Sequence, residues 1–523
     1  MGETIILAVD LGTSSAKVAL VAGRGKVLDW ESQPISLQVT ADGGVEQSPE
    51  EWWQALTRAA GALRERNPED YRAVRAVCCS TQGEGTIPVD RQGRPLMNCI
   101  LWMDTRSAPY LKQQFRGPVN YQGVSLGRVL RWISLTGGMP SLTGKDPAGH
   151  MLLVKQRFPA VYERTYKFLN VLDYLNLRLT GCFNATFDSI LTSWVTDNRR
   201  PDSIHYDPSL VRDCGVAADK LPDIVPCSRI LGALTPQAAE DLGLGGAVEV
   251  IAGAIDTTAA AIGSGAVADY MPHLYIGTSS WIAAHVPFKK TDISASLASI
   301  PCAMPGRYLL IALQATAGGN LTFLRDNLFF HQDELLQDCA IPDLFEVLDQ
   351  IAGRSPAGAN RLLYTPWIWG ERAPVEDASV RGGLYNLSIN HTREDVVRAM
   401  LEGIAFNTRW LMKSVHTFLG RETPSMQFIG GGAQSDLWCQ IFADILNVEI
   451  RQVKDPIQAN VRGAAWIAAA ALGEMALPEA AARVEIRRAY TPNPRYRALY
   501  DDRFHTFLQI YRQMKPIHQH LNQ

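Results

Sequence analysis

The chain opens with an apolar run over residues 5–11, broken only by Asp10 and closing in Asp10-Leu11-Gly12-Thr13-Ser14-Ser15. A run this short, stopped by glycine, predicts a strand. Further strands are predicted over 16–21 and, past the glycines at 23 and 25, over 27–30, giving a meander with tight turns. Ser48-Pro49-Glu50-Glu51 predicts a helix start. Ser48 caps it, Pro49 takes the first helical position and Glu51 completes a capping box. Trp52, Trp53, Leu56 and Leu63 then share a side. Strands are predicted over 74–80 and 86–89, the latter ending in the turn Asp90-Arg91-Gln92-Gly93. Residues 110–241 read mainly as helix between proline and glycine breaks. Strand pattern returns over 248–254 and ends at Asp256.

The opening pattern then recurs. A strand over 273–276 runs into Gly277-Thr278-Ser279-Ser280, followed by strands over 281–286 and 308–313. Two copies of Gly-Thr-Ser-Ser about half a chain apart, each in the same strand context, predict two similar α/β domains facing one another. A helix over 392–415, a strand over 426–429 ending in Gly430-Gly431-Gly432-Ala433, and helices over 436–446 and 459–472 complete the second half. The tail from 487 to 523 is polar and helix-prone, and is expected to dock on the surface.

Composition narrows the class. Fifty Lys and Arg against 53 Asp and Glu leave a net charge of −3, without the basic excess of a nucleic-acid binder. Nine cysteines, an odd number with no C-x-x-C pair, argue against a disulfide framework or thiolate zinc site. No apolar run is long enough to span a bilayer, and the N-terminus lacks the basic and apolar regions of a signal peptide. A cytoplasmic enzyme is expected, with neither a nucleic acid nor a membrane as partner.

Three glycine-containing loops, at 12–15, 277–280 and 430–433, each follow an apolar strand. Glycine lets backbone N–H groups approach an anion, and hydroxyls add donors, so the set points to a nucleotide held between two lobes. It is no P-loop: Gly144-Lys145 is followed by Asp146. Nor does 243–248 complete a dinucleotide fingerprint. Asp10, ending a strand before such a loop, suits Mg²⁺ held through water and phosphate. Asp256, within Gly253-Ala254-Ile255-Asp256, is placed either to accept a proton from a hydroxyl or simply to cap the helix that follows.

Asp10-Leu-Gly-Thr-Ser-Ser15, Gly253-Ala-Ile-Asp256, Gly277-Thr-Ser-Ser-Trp281 and Gly430-Gly-Gly-Ala433, in this order and spacing, resemble the FGGY carbohydrate kinases, actin-like ATPases of the glycerol kinase and xylulokinase type. The likeness spans nearly the whole chain. It includes Trp102-Met-Asp-Thr-Arg106, Asp173-Tyr-Leu175, Gly370-Glu-Arg-Ala-Pro374 and Arg381-Gly-Gly-Leu384. It implies an α/β fold of two actin-like (ribonuclease H-like) ATPase domains with a cleft between them. Residues 1–264 would carry the acceptor sugar, Mg²⁺ and catalytic base, and 265–523 the nucleotide site and a helical tail.

The resemblance implies roles residue by residue. Asp256 matches the catalytic base and Asp10 the Mg²⁺-associated carboxylate. Gly12, Thr13, Ser14, Gly277, Thr278, Gly318, Gly319, Gly432, Ala433 and Asp436 match ATP-binding positions. Gln82, Gly83, Glu84, Trp102, Asp104, Asp256 and Trp281 match positions lining the acceptor pocket, with Trp102 and Trp281 as its aromatic wall. The expected activity is ATP-dependent phosphorylation of a small sugar or polyol, with a pentulose such as xylulose foremost and a homodimer as candidate assembly. The acceptor loop departs from both reference patterns: Gln82-Gly83-Glu84-Gly85 stands where xylulokinases carry Gln-Met-His-Gly and glycerol kinases Gln-Arg-Glu. That form is closer to erythritol-type polyol kinases and some L-xylulose kinases. The family's Pro-Lys-x-x-Trp segment is replaced by 148–153, and a usual glycine is Asn386. A glycerol- or erythritol-type kinase, or a non-catalytic sugar and ATP sensor or switch, therefore stays open.

Overall fold

The computed structural model describes residues 3–328 and 344–522; Met1, Gly2, Cys339 and Gln523 lie outside them. The first sheet uses β1 (Ile5–Leu11), β2 (Ser15–Ala22), β3 (Val27–Pro34), β4 (Val74–Thr81), β5 (Ile230–Ala233) and β6 (Glu249–Ile255), ordered β5-β6-β4-β1-β2-β3. Helices α1 (Pro49–Arg66) and α2 (Val171–Thr180) pack on its outer face, and α3 (Asp256–Gly263) follows β6 directly.

The second sheet comprises β7 (Pro272–Ile276), β8 (Ser280–Val286), β9 (Thr291–Asp292), β10 (Leu297–Pro301), β11 (Tyr308–Gln314), β12 (Ser425–Ile429), β13 (Glu449–Val453) and β14 (Ile486–Tyr490). Its order is β9-β10-β11-β8-β7-β12-β13-β14. Helices α4 (Arg393–Leu419), α5 (Asp436–Leu446) and α7 (Arg497–Leu521) belong to this half, as does α6 (Ala459–Ala471).

The repeat read from Gly-Thr-Ser-Ser is a repeat of pairing. β1 runs antiparallel to β2 and parallel to β4; β7 runs antiparallel to β8 and parallel to β12. Side-chain size follows the two-residue period of the strand. Ile5, Leu7, Val9 and Leu11 face the outer helices, while Ile6 and Ala8 face inward. The inner layer is made of small residues because two helices lie between the sheets. Ala259–Ile262 of α3 and Ala464–Ala469 of α6 share one apolar cluster with Ile6, Ala8, Ala283 and Leu309. By the same period Asp10 points inward, at the end of the strand.

Most predicted elements match within two residues. The capping box at Ser48 is only half made. Ser48 Oγ accepts from the Glu51 N–H at 3.4 Å, but Glu51 Oε1 accepts from the N–H of Ser36 instead of closing on Ser48. The 110–241 segment also carries short strand pairs among its helices. The tail does not start as helix. Residues 486–490 add β14 to the sheet edge, and only then does α7 bury Tyr500, Phe504, Phe507 and Tyr511. Of the eight described cysteines, seven are buried thiols and Cys182 is partly exposed, consistent with the absence of a disulfide framework. Among the described residues no helix is long and apolar enough to cross a membrane.

Candidate active site

The site is built where β1, β4 and β6 end at the cleft. Asp10 Oδ1 accepts from Ser80 Oγ of β4 at 3.3 Å and from Asn460 Nδ2 of α6 at 3.1 Å, so both halves of the chain hold it. Lys17, its cross-strand partner on β2, donates to the carbonyl of Ile457 at 2.7 Å. Burial lowers the pKa of that ammonium, and the Asp10 charge partly offsets the effect.

Asp256 reaches the same place through a bulge. Pairing of β6 with β4 shifts register between Ile251 and Ala254. Gly253 makes the bulge possible: its φ is +74°, and a β-carbon there would overlap the carbonyl oxygen of Cys79. Asp256 is then the first residue of α3, and its Oδ1 accepts from the N–H of Thr257 at 2.7 Å. Burial first, then the charges of Asp10, Glu84 and Asp188, push its carboxyl up to about 7. A carboxyl poised near neutrality, beside a second carboxylate at a strand end, is what a general base for a hydroxyl requires.

Glu84 sits between Gly83 and Gly85 at φ +61°, a left-handed conformation rare outside glycine. Burial raises its pKa, while Arg372 and Lys145 lower it. Arg372 comes from the second half of the chain, so the 82–85 loop is faced from both halves. Glu371, buried beside it, accepts from the backbone N–H groups of Ala315 and Arg372 at 2.9 and 2.8 Å, tying that turn to the loop before Gly318.

A buried polar network shapes the floor. Thr13 Oγ1 donates to Gln82 Oε1 at 2.9 Å and accepts from the Trp102 indole N–H at 3.3 Å. Gln82 Nε2 donates to Gln47 Oε1 at 2.9 Å. Gln47 Nε2 in turn donates to the Thr13 carbonyl at 2.6 Å. Gly12 closes the turn by donating to the Ser15 carbonyl, leaving Ser14 exposed. In the second half, Gly318 and Gly319 donate to the carbonyls of Gly277 and Thr278 at 2.8 and 3.1 Å, and Gly432 packs on Ile276. The three glycine loops there meet at the end of β7.

Three expected contacts differ. Trp281 is 5% exposed, stacked on Tyr275 at 3.8 Å with its indole N–H donating to His273, so the structure places it in the core packing. Tyr275, partly buried, is the aromatic that feels the charges of Asp10 and Asp256. Asp104 is fully buried, with its oxygens taken by the N–H of Val45 and by Arg106. Asp436 gives its carboxylate to Gln452 at 3.2 Å and lies 3.6 Å from Arg487, though it starts the helix after Gly432 and Ala433. Sequence reasoning gave no role to Gln47, Lys17, Asn460, Tyr275, Arg372 or Asp188. Two carried a signal: Lys17, as a lone cation in an apolar strand beside Asp10, and Arg372, within the Gly370-Glu-Arg-Ala-Pro374 motif.

Two matching sheets, two helices crossing between them, and strand-end carboxylates beside glycine loops define a two-domain ATP-dependent phosphotransferase of the actin-like kind. The N-terminal domain of the FGGY family of carbohydrate kinases matches residues 5–263 and its C-terminal domain residues 274–472, so the chain belongs to that family. It is 29% identical over 523 residues to a xylulose kinase of Staphylococcus epidermidis, covering 99% of this chain and 98% of that protein. Solved structures of a ligand-bound xylulose kinase and of a gluconate kinase, both from Lactobacillus acidophilus, each superpose with TM-score 0.83 at 25% identity, covering 98% of both chains.

Proposed function

We propose that this chain transfers the γ-phosphoryl group of ATP to a hydroxyl of a small ketose, foremost a pentulose of the xylulose type. The convergence of Asp10, Glu84 and Asp256 at one cleft carries the reading, and the similarity to xylulose kinases over almost the full chain supports the substrate. Asp256 takes the proton from the attacking hydroxyl. Trp102 and the Thr13–Gln82–Gln47 network position the sugar, and Glu84 accepts from its hydroxyls. Backbone N–H groups of the turns after Gly12 and Gly277 cradle the phosphates, and closure of the lobes keeps water from competing.

Among the described residues no group of three or more His, Cys, Asp or Glu forms a metal cage. The donor set suits a cation that keeps its waters: Asp10 spends one oxygen on Ser80 and Asn460, and the other has no hydrogen-bond partner among the described residues. Asp10 would hold Mg²⁺ in that way, and Mg²⁺ neutralises phosphate charge when bound.

A second reading has a specific basis. Lys145 and Arg372 are exposed cations beside Glu84, and neither makes an ion pair or side-chain hydrogen bond among the described residues. A sugar acid would satisfy them. ADP release from Mg-ATP with D-xylulose, L-xylulose, erythritol, glycerol and D-gluconate separates the readings. A dominant response to a xylulose supports the first, and a dominant response to gluconate replaces it with the second.

A further inference from the structure

The helix that carries Asp256 lacks a cap of its own. The residue before it is Ile255, whose side chain cannot accept a hydrogen bond. Asp188, 67 residues before Ile255 and 1% exposed, instead anchors the start of the helix from outside it. Its Oδ2 accepts from the backbone N–H of Ile255 at 3.0 Å and from the hydroxyl of Thr258 in the first turn of α3. Its Oδ1 accepts from Thr186 Oγ1 at 2.6 Å and from the Cys227 thiol at 3.4 Å. A carboxylate at a helix N-terminus is favourable, and a fully buried one persists only when its oxygens are satisfied, as these are.

The turn that presents Asp188 is itself fixed. Ser189 Oγ donates to Asp173 Oδ1 at 2.7 Å, and the Thr186 N–H donates to Ser189 Oγ at 2.9 Å. Asp173 lies in the first turn of α2, where its Oδ2 accepts from the N–H of Asn170 at 3.0 Å. A line of buried contacts thus runs from α2 through the 186–189 turn to the start of α3.

The consequence falls on Asp256. An aspartate at a helix start ordinarily turns back to cap the helix. Here the start of the helix is anchored from elsewhere, and Asp256 engages only the N–H of Thr257 through Oδ1. Its Oδ2 has no hydrogen-bond partner among the described residues. We propose that Asp188 is a positioning residue for phosphoryl transfer: by anchoring Ile255 and Thr258 on either side of Asp256 from another segment, it holds Asp256 with one oxygen free for the acceptor hydroxyl. The proposal rests on Asp256 being the base.

Thr258→Val removes the hydroxyl that Asp188 receives while keeping side-chain shape, and Thr258→Ser keeps the hydroxyl. Both, with Asp188→Asn and Asp256→Asn, are assayed as the full chain with Mg-ATP and the acceptor giving the strongest ADP release. ADP affinity is measured by calorimetry and folding by thermal melting. A misplaced reacting group costs on the order of tenfold to a hundredfold in rate. Thr258→Val is expected to lose kcat by about tenfold or more, with acceptor KM and ADP affinity within about twofold, and Thr258→Ser to recover kcat. Asp188→Asn is expected to fall at least as far. Thr258→Val turning over within about twofold of the native chain, with Asp256→Asn inactive, overturns the proposal alone. A loss that Thr258→Ser does not recover, or that follows the melting temperature, also overturns it. An active Asp256→Asn overturns the assignment of the base.

Discussion

Gly263 of α3 and Gly463 of α6 occupy reciprocal places in the crossing between the two halves. A methyl group on Gly263 would overlap the carbonyl oxygen of Ala459, and one on Gly463 would overlap that of Ala259. The helices therefore meet backbone to backbone. That contact brings the start of α3, with Asp256, and the start of α6, with Asn460, to the end of β1 where Asp10 lies.

The crossing makes a stability prediction. Gly463→Ala forces two backbones apart and should destabilise the chain by at least about 1–3 kcal/mol, the usual cost of overpacking. Gly61, in α1, has open space around it. Gly61→Ala should instead stabilise by about 0.5–1 kcal/mol. Urea midpoints of the two variants, measured beside the native chain, check both signs.

The pKa of Asp256 makes a pH prediction. If Asp256 is the base it works deprotonated, so kcat/KM should fall about tenfold per pH unit below about 7. Glu84→Gln removes one of the charges that raise the Asp256 pKa, and should move that limb to lower pH while raising acceptor KM. Stability follows the opposite course. A carboxyl whose folded pKa is raised stabilises the fold below its unfolded value near 4, and loses that contribution as pH rises through about 7. Asp256→Asn should therefore be more stable than the native chain at pH 8, by on the order of 1–2 kcal/mol after solvent screening, and equal to it at pH 4. Melting temperatures at the two pH values read this directly.

Gln47 offers a test of the pocket floor. It accepts from the Trp52 indole and from Gln82, and donates to the Thr13 carbonyl, with no exposed surface. Gln47→Leu strands those partners, and each buried unpaired group costs about 1–3 kcal/mol. The variant should unfold at lower urea. Its acceptor KM should rise more than its ATP KM, because Gln82 and Thr13 lose their anchor.

The strands and loops that place Asp10 and Asp256 were legible because apolar runs, glycine stops and small-residue helices are local signals. The choice of Asp256 as base or cap was not, since it turns on Asp188, a lone aspartate distant in sequence. Trp281 and Tyr275 both belong to strands flanking the same turn, and pattern alone does not say which of two stacked rings faces the cleft. The polar tail hid β14 because its first four residues, Ile486, Arg487, Arg488 and Ala489, are exposed on a sheet edge, which removes the apolar alternation of a buried strand. Gln47 looked like any polar residue before a helix; only the fold turns it toward Thr13.

The central claim is that Asp256 deprotonates a sugar hydroxyl for attack on ATP. It is tested most directly by ADP release from Mg-ATP with D-xylulose, for the native chain and Asp256→Asn, with ADP binding measured on both. The expected result is xylulose-dependent release in the native chain that drops by about 10²–10⁴-fold in the variant, with ADP affinity retained. Turnover in Asp256→Asn within tenfold of native, or a native chain that binds ADP yet answers to no acceptor of the panel, would contradict it.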